Sequence, residues 1–236
     1  MLKTRDDLAN LVLLSLPQTT IERIRSALEL RETRRGEIVQ RADEPFKFIC
    51  FINRGLVSLV KGMKDGRTVE VGAVGIEGIA PPCALLGLSR SVVDAVVEIP
   101  GTVFRIRHDI LMSEIERHSA LRAAVGKYAR YSLIQLMQAA ACNRLHHIDE
   151  RCCRWLLTAQ DNASSDTFPL TQEYLAMLLG VQRAGLSEIA HALQEKGLIT
   201  YRRGKITIQN RAMLEALACE CYDDLREARV KVFGSS

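Results

Sequence analysis

No stretch of this sequence approaches the roughly 18 uninterrupted apolar residues of a membrane-spanning helix, so no membrane role is expected. The N-terminus, MLKTRDDLANLVLLSLPQTT, holds only the short apolar run LVLLSL; acidic residues precede it and no small-residue cleavage site follows. A signal peptide is not expected from that pattern, and the chain reads as cytoplasmic. An ordered cysteine framework is missing as well. The seven cysteines, Cys50, Cys83, Cys142, Cys152, Cys153, Cys219 and Cys221, are odd in number and irregular in spacing, which argues for reduced thiols rather than disulfides. Adjacent Cys152 and Cys153 cannot clamp a tetrahedral metal as C-x-x-C does, and Cys219-x-Cys221 departs from the usual zinc spacing. The expectation is therefore structural thiols that behave as small buried hydrophobes, and no metal site. Catalytic signatures are absent too: there is no H-E-x-x-H, G-x-S-x-G or P-loop pattern. The densest reactive cluster, CNRLHHIDERCC, contains His146 and His147, but neighbouring side chains on a helix point about 100° apart and rarely share a metal. The chain does not read as an enzyme. There is no internal repeat or low-complexity segment, and a net charge of only +4 means that any nucleic-acid surface must be local.

What is present is a soluble globular composition, 47% hydrophobic and 25% charged, in 236 residues, enough for one large domain or two ordinary ones. From about 30 to 110 the chain reads as strands. FKFICFINRGLVSLV, VVDAVVEI and GTVFRI are rich in aromatic and β-branched residues. Lys64-Asp65-Gly66 is a hairpin candidate, and Gly36, Gly55, Gly72, Gly75, Gly78 and Gly101 punctuate the runs. Such spacing suggests a compact β-barrel or sandwich, with helix-like RDDLANLVLLSL and QTTIERIRSALEL before it.

From about Glu114 to Leu145 there is no proline and only one glycine, which predicts a single long helix. It is apolar on two faces. Tyr131, Ile134, Ala141, Leu145 and Ile148 form one track; Leu133, Leu136, Met137 and Ala140 form another. A helix with two apolar faces needs two coverings: one is the β-domain, and the other is read as a second copy of the same helix. HHIDERCCRWLLTAQDN then predicts a helix with Cys152, Trp155, Leu156 and Ala159 inward, followed by ASSDTFPL as a polar loop.

The stretch TQEYLAMLLGVQRAGLSEIAHALQEKGLI carries the clearest pattern. Thr171 is a capping residue for a first helix, Leu175, Ala176, Leu178 and Leu179 give its buried side, and Gly180 permits the positive φ of a tight turn. A second helix follows with Leu186, Ile189, Ala190 and Leu193 inward and Gln182, Arg183, Ser187 and Glu188 outward. That is helix-turn-helix spacing, whose second helix enters the major groove of double-stranded DNA. GLITYRRGKITI adds two strands about Gly204, a wing with Arg202, Arg203 and Lys205 at its tip and Arg211 shortly after, placed to meet phosphates. RAMLEALACECYDDLREARVKVF predicts a further helix packed on the DNA-binding domain or on a partner.

A β-rich domain, a long helix and a winged helix-turn-helix in that order resemble the CRP/FNR superfamily of bacterial transcription regulators. The resemblance rests on LTQEYLAMLLGVQRAGLSEIAHALQEKGLI, on ERCCRWLL and on GEIVQRADEPFKFICFINRGLVSLV, where Ala42-Asp43 stands at a position often held by glycine. It implies an α+β fold. The parts are an N-terminal β-roll (cupin-like, the cyclic-nucleotide-binding-domain fold) over 1–113, a dimerisation helix and hinge over 114–146, and a winged helix-turn-helix over 147–236. It also implies a homodimer on a palindromic operator, with half-sites about 34 Å apart, and RNA polymerase as a further partner. Arg183 stands where the family reads bases with an arginine, a fork suited to guanine O6 and N7. Ala184 and Glu188 depart from the family's usual glutamate and arginine, so another DNA sequence is expected. Thr171, Gln172, Gln182 and Ser187 complete the expected DNA-contacting set with the wing.

Cyclic-nucleotide-binding members carry Gly-Glu, a short helix and then Arg-Ser or Arg-Thr, the glutamate holding the ribose and the arginine the cyclic phosphate. The resemblance points to Glu77 in Gly75-Ile76-Glu77-Gly78, to Arg90 and Ser91, and to Leu136 and Met137 where the family faces the base with polar groups. Here the Glu-to-Arg separation is a few residues longer, Pro81-Pro82 interrupts the short helix, and Leu136 and Met137 could not satisfy a nucleotide's polar edge. Cyclic AMP is therefore not the expected effector. Nor is an iron–sulfur cluster, since oxygen-sensing members use cysteines near the N-terminus and none precedes Cys50. Cys83 is expected to be a bland thiol, with no basic neighbour in sequence to make it a redox handle. The competing function is a ligand-binding regulatory module that acts on proteins rather than DNA, against which the basic wing tip argues.

Overall fold

The computed structural model describes residues 8–163 and 165–234. Among these, the chain opens with two short helices, α1 (Leu11–Leu14) and α2 (Gln18–Ile24). Six strands follow: β1 (Glu29–Glu32), β2 (Ile38–Gln40), β3 (Phe48–Gly62), β4 (Thr68–Val74), β5 (Ile79–Ala80) and β6 (Asp94–Arg107). They form one antiparallel sheet in the order β1-β6-β3-β4, with β2 also on β6 and β5 on β3. Asn10 caps α1, its side-chain oxygen accepting from Leu13 N, so the N-terminal helix is shorter than RDDLANLVLLSL suggested; residues 5–7 of that run lie outside the described residues.

The sheet rolls because its two longest strands are bent at one place. From Ile49 to Val60 only Arg54 is exposed, so β3 is covered on both faces. VVDAVVEI and GTVFRI, expected as separate strands, are one continuous β6 that passes through Pro100-Gly101. Gly55 and Gly101 are therefore inside the ladder rather than in turns. A Cβ on Gly55 would meet the Ile99 carbonyl oxygen at 2.3 Å, and one on Gly101 would meet the Arg54 carbonyl oxygen at 2.1 Å. Close backbone approach at such bulges needs glycine, and the register of β3 against β6 shifts repeatedly between Ile52 and Val57. Gly72 likewise sits within β4, whereas Lys64-Asp65-Gly66 does form the β3–β4 turn, with Met63 N donating to Arg67 O. Pro81-Pro82 does not abolish the short helical turn after β5: Pro82–Leu85 forms a 3₁₀ turn with Pro82 in its first position, where a missing N–H costs nothing.

The long helix begins later than expected. α3 (His108–Arg117) and α4 (Ser119–Leu145) are separate helices. His118 breaks them with extended dihedrals (φ −123°, ψ 108°), its N–H donating to Glu114 O and its ring meeting the Glu114 carboxylate at 3.1 Å. Leu121, Ala124, Val125, Tyr128 and Tyr131 of α4 close the β-roll core with Phe51, Phe104, Ile49 and Ile106. Tyr128 is fully buried and its hydroxyl donates to Ile79 O at 2.9 Å. An aromatic of this size removes about 150–250 Å² from water, or about 4–6 kcal/mol of apolar transfer at 25 cal/mol/Å².

After His146 and His147, both extended, α5 (Ile148–Asn162) begins with a capping box between His147 and Glu150. There follow β7 (Thr167–Pro169), α6 (Gln172–Leu179), α7 (Arg183–Glu195), β8 (Ile199–Arg202), β9 (Lys205–Ile208), α8 (Arg211–Leu217) and α9 (Cys221–Phe233). Part of the expected polar loop is thus a strand: β7 pairs with β9 and makes the wing sheet three-stranded, β7-β9-β8. The expected single C-terminal helix is two. α8 packs on α5, and α9 lies along α4, with the Tyr131 and Phe233 rings edge to face. The second core holds Trp155, Leu156, Phe168, Leu175, Leu186 and Ile206, together with Leu56 and Ile99 from the β-roll. The C-terminal half is docked on the β-roll through that shared core. No described helix is long and apolar enough to cross a membrane.

Candidate nucleic-acid interface

Thr171 accepts from Tyr174 N at 3.2 Å and so caps α6. Gly180 ends it in the left-handed region (φ 70°, ψ 34°), its N–H donating to Met177 O while Val181 N reaches back to Ala176 O. This 6→1 closure turns the chain tightly into α7. Leu175, Ala176, Leu178, Leu179, Leu186, Ala190 and Leu193 are buried between the two helices and the core beneath. Their opposite side is free: Gln182, Arg183 and Glu188 are exposed at the start of α7, and Thr171 is exposed at the start of α6. Ser187, half-buried, donates to Gln172 Oε1 at 2.9 Å, so two expected DNA contacts also tie the helices together and leave the Gln172 amide nitrogen as a donor.

The wing turns at Arg203 and Gly204, both at positive φ (50° and 73°), with Arg202 opposite Lys205. Arg202, Arg203 and Lys205 are all exposed. Arg211 is not part of this tip. It starts α8, where it meets Asp161 and Glu215 at 2.9 Å each and Gln160 Oε1 at 2.9 Å. The basic patch is therefore three residues at a strand turn, next to a helix led by Arg183, with no acidic partner among the described residues neutralising it.

The expected effector residues do not meet. Glu77 is buried, where burial pushes its carboxyl up against the lowering effect of the Gly75 N–H, which donates to Oε1 at 2.9 Å. Arg90 is exposed and donates to Asp43 O at 2.6 Å. Ser91 is buried and donates to Val93 O at 2.6 Å, with the half-buried Cys83 sulfur 3.9 Å away. Leu136 and Met137 are 40% and 62% exposed, which sets them outside any enclosed site. The residues that do face Glu77 are Tyr131 and Gln135 of α4 and Arg229 of α9. The space left there is about 60 Å³, against roughly 300–1,000 Å³ for a ligand site. Protein fills the rest. A Cβ on Gly78 would lie 2.5 Å from the Tyr128 ring, and one on Gly75 would lie 2.1 Å from Asn162 Oδ1.

Two features were hidden from the sequence. Glu70 of β4 receives the Trp155 Nε1–H at 3.0 Å and the Ser58 hydroxyl, and Arg35 of the β-roll stacks on the Tyr174 ring of α6. Burial raises Glu70 to about 7, and raises Glu98, paired with Arg35 at 3.3 Å, to about 7 as well. These groups form the polar seam between the two halves. The second feature lies at the extended link between α4 and α5. Cys142 and His146 are brought together with Cys219 and Cys221, all four ligand atoms within 4.8 Å of one another. Read singly, the cysteine spacings looked inert; Cys142 and His146 one helical turn apart were the available clue.

Residues 30–118 match the family model described as the cyclic nucleotide-binding domain, and residues 150–217 match the Crp-like helix-turn-helix domain. The structure is similar to that of FixK2 from Bradyrhizobium japonicum (17% identity, 81% of this chain and 98% of that one, TM-score 0.68). It is similar also to a putative transcriptional regulator of the crp/fnr family from Eubacterium rectale (17% identity, 87% and 96%, TM-score 0.69). A third is the c-di-GMP responsive global regulator CLP of Xanthomonas campestris (17% identity, 82% and 100%, TM-score 0.65). No curated protein matches the chain by sequence.

Proposed function

Since the chain belongs to the CRP/FNR superfamily of transcription regulators, we propose that it is a sequence-specific DNA-binding regulator that works as a homodimer. The observation that carries this reading is the exposed start of α7, led by Arg183, beside the uncompensated wing tip of Arg202, Arg203 and Lys205. In this reading α7 lies in the major groove, and Arg183 bonds a guanine edge while Gln182, Ser187 and Glu188 set the neighbouring bases. The wing tip, Thr171 and Gln172 hold phosphates and so fix register without reading sequence.

Dimerisation is assigned to α4. Its second half turns Leu133, Ile134, Leu136 and Met137 outward, an unusual density of aliphatic side chains for a solvated face and a fit for a parallel copy of itself. The division into a sensory β-roll over 1–113, a helix and hinge over 114–146 and a DNA-binding part over 147–236 fits this scheme, with RNA polymerase as the downstream partner. A signal in the β-roll acts by shifting the balance between two placements of the DNA-binding half about His146 and His147.

Selection of duplexes from a random pool by the purified protein, followed by anisotropy titration of the winner, tests the reading. Arg183→Ala should cost about 1–3 kcal/mol against the selected site and little against random DNA. Arg202→Glu with Lys205→Glu should weaken binding to every duplex and flatten its salt dependence. A pool that shows no enrichment would sink the proposal and favour action through proteins.

A further inference from the structure

The thiol and imidazole cluster at the hinge is a separate structure from the two apolar cores. Cys142, Cys219 and Cys221 are 1%, 4% and 1% exposed and form a buried group of their own. Cys142 belongs to the last turns of α4, and His146 follows one turn later, immediately after the helix ends. Cys219 lies in the link between α8 and α9, and Cys221 is the first residue of α9. The four groups therefore come from the two sides of the hinge, brought together by the packing of α9 on α4.

Their ligand atoms lie within 4.8 Å of one another, and two of the six separations are those of a coordination shell. Cys142 and Cys219 sulfurs are 3.6 Å apart, and the Cys221 sulfur is 3.5 Å from His146 Nδ1. With metal–sulfur bonds of about 2.3 Å and metal–nitrogen bonds of about 2.0 Å, a tetrahedral ion has ligand–ligand edges of about 3.5–3.8 Å. The two measured contacts are opposite edges of such a tetrahedron. A disulfide it is not, since that bond needs sulfurs at about 2.05 Å. Buried cysteines alone would read as small hydrophobes, but an imidazole pointing a ring nitrogen into three sulfurs does not pack as one.

The surroundings complete the case. His146 Nε2 meets the Glu220 carboxylate at 3.0 Å, so the ring is oriented with Nδ1 toward the sulfurs. A carboxylate behind a histidine in this way is the usual support of a metal-bound imidazole. Gln138 Nε2 donates to the Cys221 sulfur at 3.0 Å. Arg151 and Arg154 of α5 line the same small cavity as Cys142 and Cys221, and the Nε atom of each is buried without a hydrogen-bond partner. Three thiolates around a divalent ion leave one net negative charge, which these guanidiniums face.

We propose that Cys142, His146, Cys219 and Cys221 bind a thiophilic divalent cation, zinc(II) by the ligand set, which clamps α9 and its preceding link to the end of α4. The three thiols release their protons on binding, and His146 binds through Nδ1 as the neutral ring. Zinc(II) fits a tetrahedral shell of three sulfurs and one nitrogen, whereas calcium or magnesium would require oxygen ligands. The occupied site fixes the hinge across which the two halves are placed. Binding of the ion does not depend on the DNA-binding reading, and neither does its test.

The test is cobalt(II) titration of the full-length chain, kept reduced and anaerobic. The expected result is the intense visible spectrum of tetrahedral cobalt with a sulfur-to-cobalt charge-transfer band, saturating at one equivalent per chain and bleached by zinc(II). Glu220→Gln should retain the spectrum and weaken zinc(II) binding by about 10–100-fold. His146→Gln should keep the fold by circular dichroism and change the visible bands, while Cys152→Ser should leave them as they were. A wild-type chain that gives only the weak spectrum of hydrated cobalt, or the same spectrum after Cys142→Ser and Cys219→Ser, overturns the site.

Discussion

The two halves of α4 are one continuous helix and yet do opposite work. Up to Ser132 its inward residues, Leu121, Ala124, Val125, Tyr128 and Tyr131, belong to the β-roll core. From Leu133 to Leu145 only Cys142 is buried, while Leu133, Ile134, Leu136, Met137 and Leu145 are exposed. The second half has reversed the usual arrangement: its aliphatic residues look outward, and its inward side carries Gln135, Gln138 and Cys142 toward Glu70, Trp155 and α9. A helix so arranged is firmly held at one end and left adjustable at the other, because polar seams admit alternatives that a close-packed core does not.

Breaking the first half should have the largest effect. Tyr128→Ala leaves a cavity among Gly78, Val74 and Ile79 and an unmatched Ile79 carbonyl. Urea unfolding should show a loss of about 3–5 kcal/mol. The counterpart Leu133→Ala should leave protomer stability within about 0.5 kcal/mol. Equal losses from the two substitutions would erase the distinction between the halves.

The next test addresses what covers the outward face. If the proposed dimer forms through this face, Leu136→Arg combined with Met137→Arg should convert it to monomer in light-scattering chromatography, with an unchanged circular dichroism spectrum. Central apolar anchors of an interface are worth about 2 kcal/mol or more each, so losing both should weaken the dimer constant by at least several hundredfold. An unchanged mass would place the dimer interface elsewhere than α4.

The contrast between the halves also marks what sequence can convey. Thr171, Gly180 and the aliphatic spacing of α6 and α7 were readable because capping and turn chemistry are local: each constraint is met within a few residues. The roll was readable as strands but not as two long bent ones, since Gly55 and Gly101 look like turn residues until their partner strand is known. The break at His118 carried no proline or glycine to announce it. Non-local groupings left the least trace. Nothing adjacent in sequence links Glu70 to Trp155, or Cys142 and His146 to Cys219 and Cys221. The effector set transferred from the family is not brought together for a similar reason: Leu136 and Met137 were fixed by counting along a helix, whereas Tyr131 and Gln135 are the α4 residues that line the space beside Glu77.

The smallest expected effect concerns the polar side of the second half, where pH can loosen the seam. Glu70 faces Arg154, Trp155 and Ser58; Glu98 faces Arg35, Tyr174 and, electrostatically, Glu70. Both carboxyls are raised to about 7 by burial from an ordinary 4.5. Between those values the folded protein holds protons that the unfolded chain has released, so stability falls as pH rises from about 5 to about 7 and levels off above. Each tenfold difference in proton affinity between the folded and unfolded chain is worth about 1.4 kcal/mol. With the half-buried Glu70 screened in part, the net loss between pH 5.5 and 8 should be about 1–2 kcal/mol. Trp155 is the only tryptophan and donates directly to Glu70, so its fluorescence reports the seam itself during unfolding at the two pH values. Glu70→Gln, which keeps an acceptor for Trp155 without the charge, should remove roughly half of the pH dependence. Should the full dependence survive that substitution, the titrating group would lie outside the seam, and the adjustable end of α4 would owe its looseness to the hinge alone.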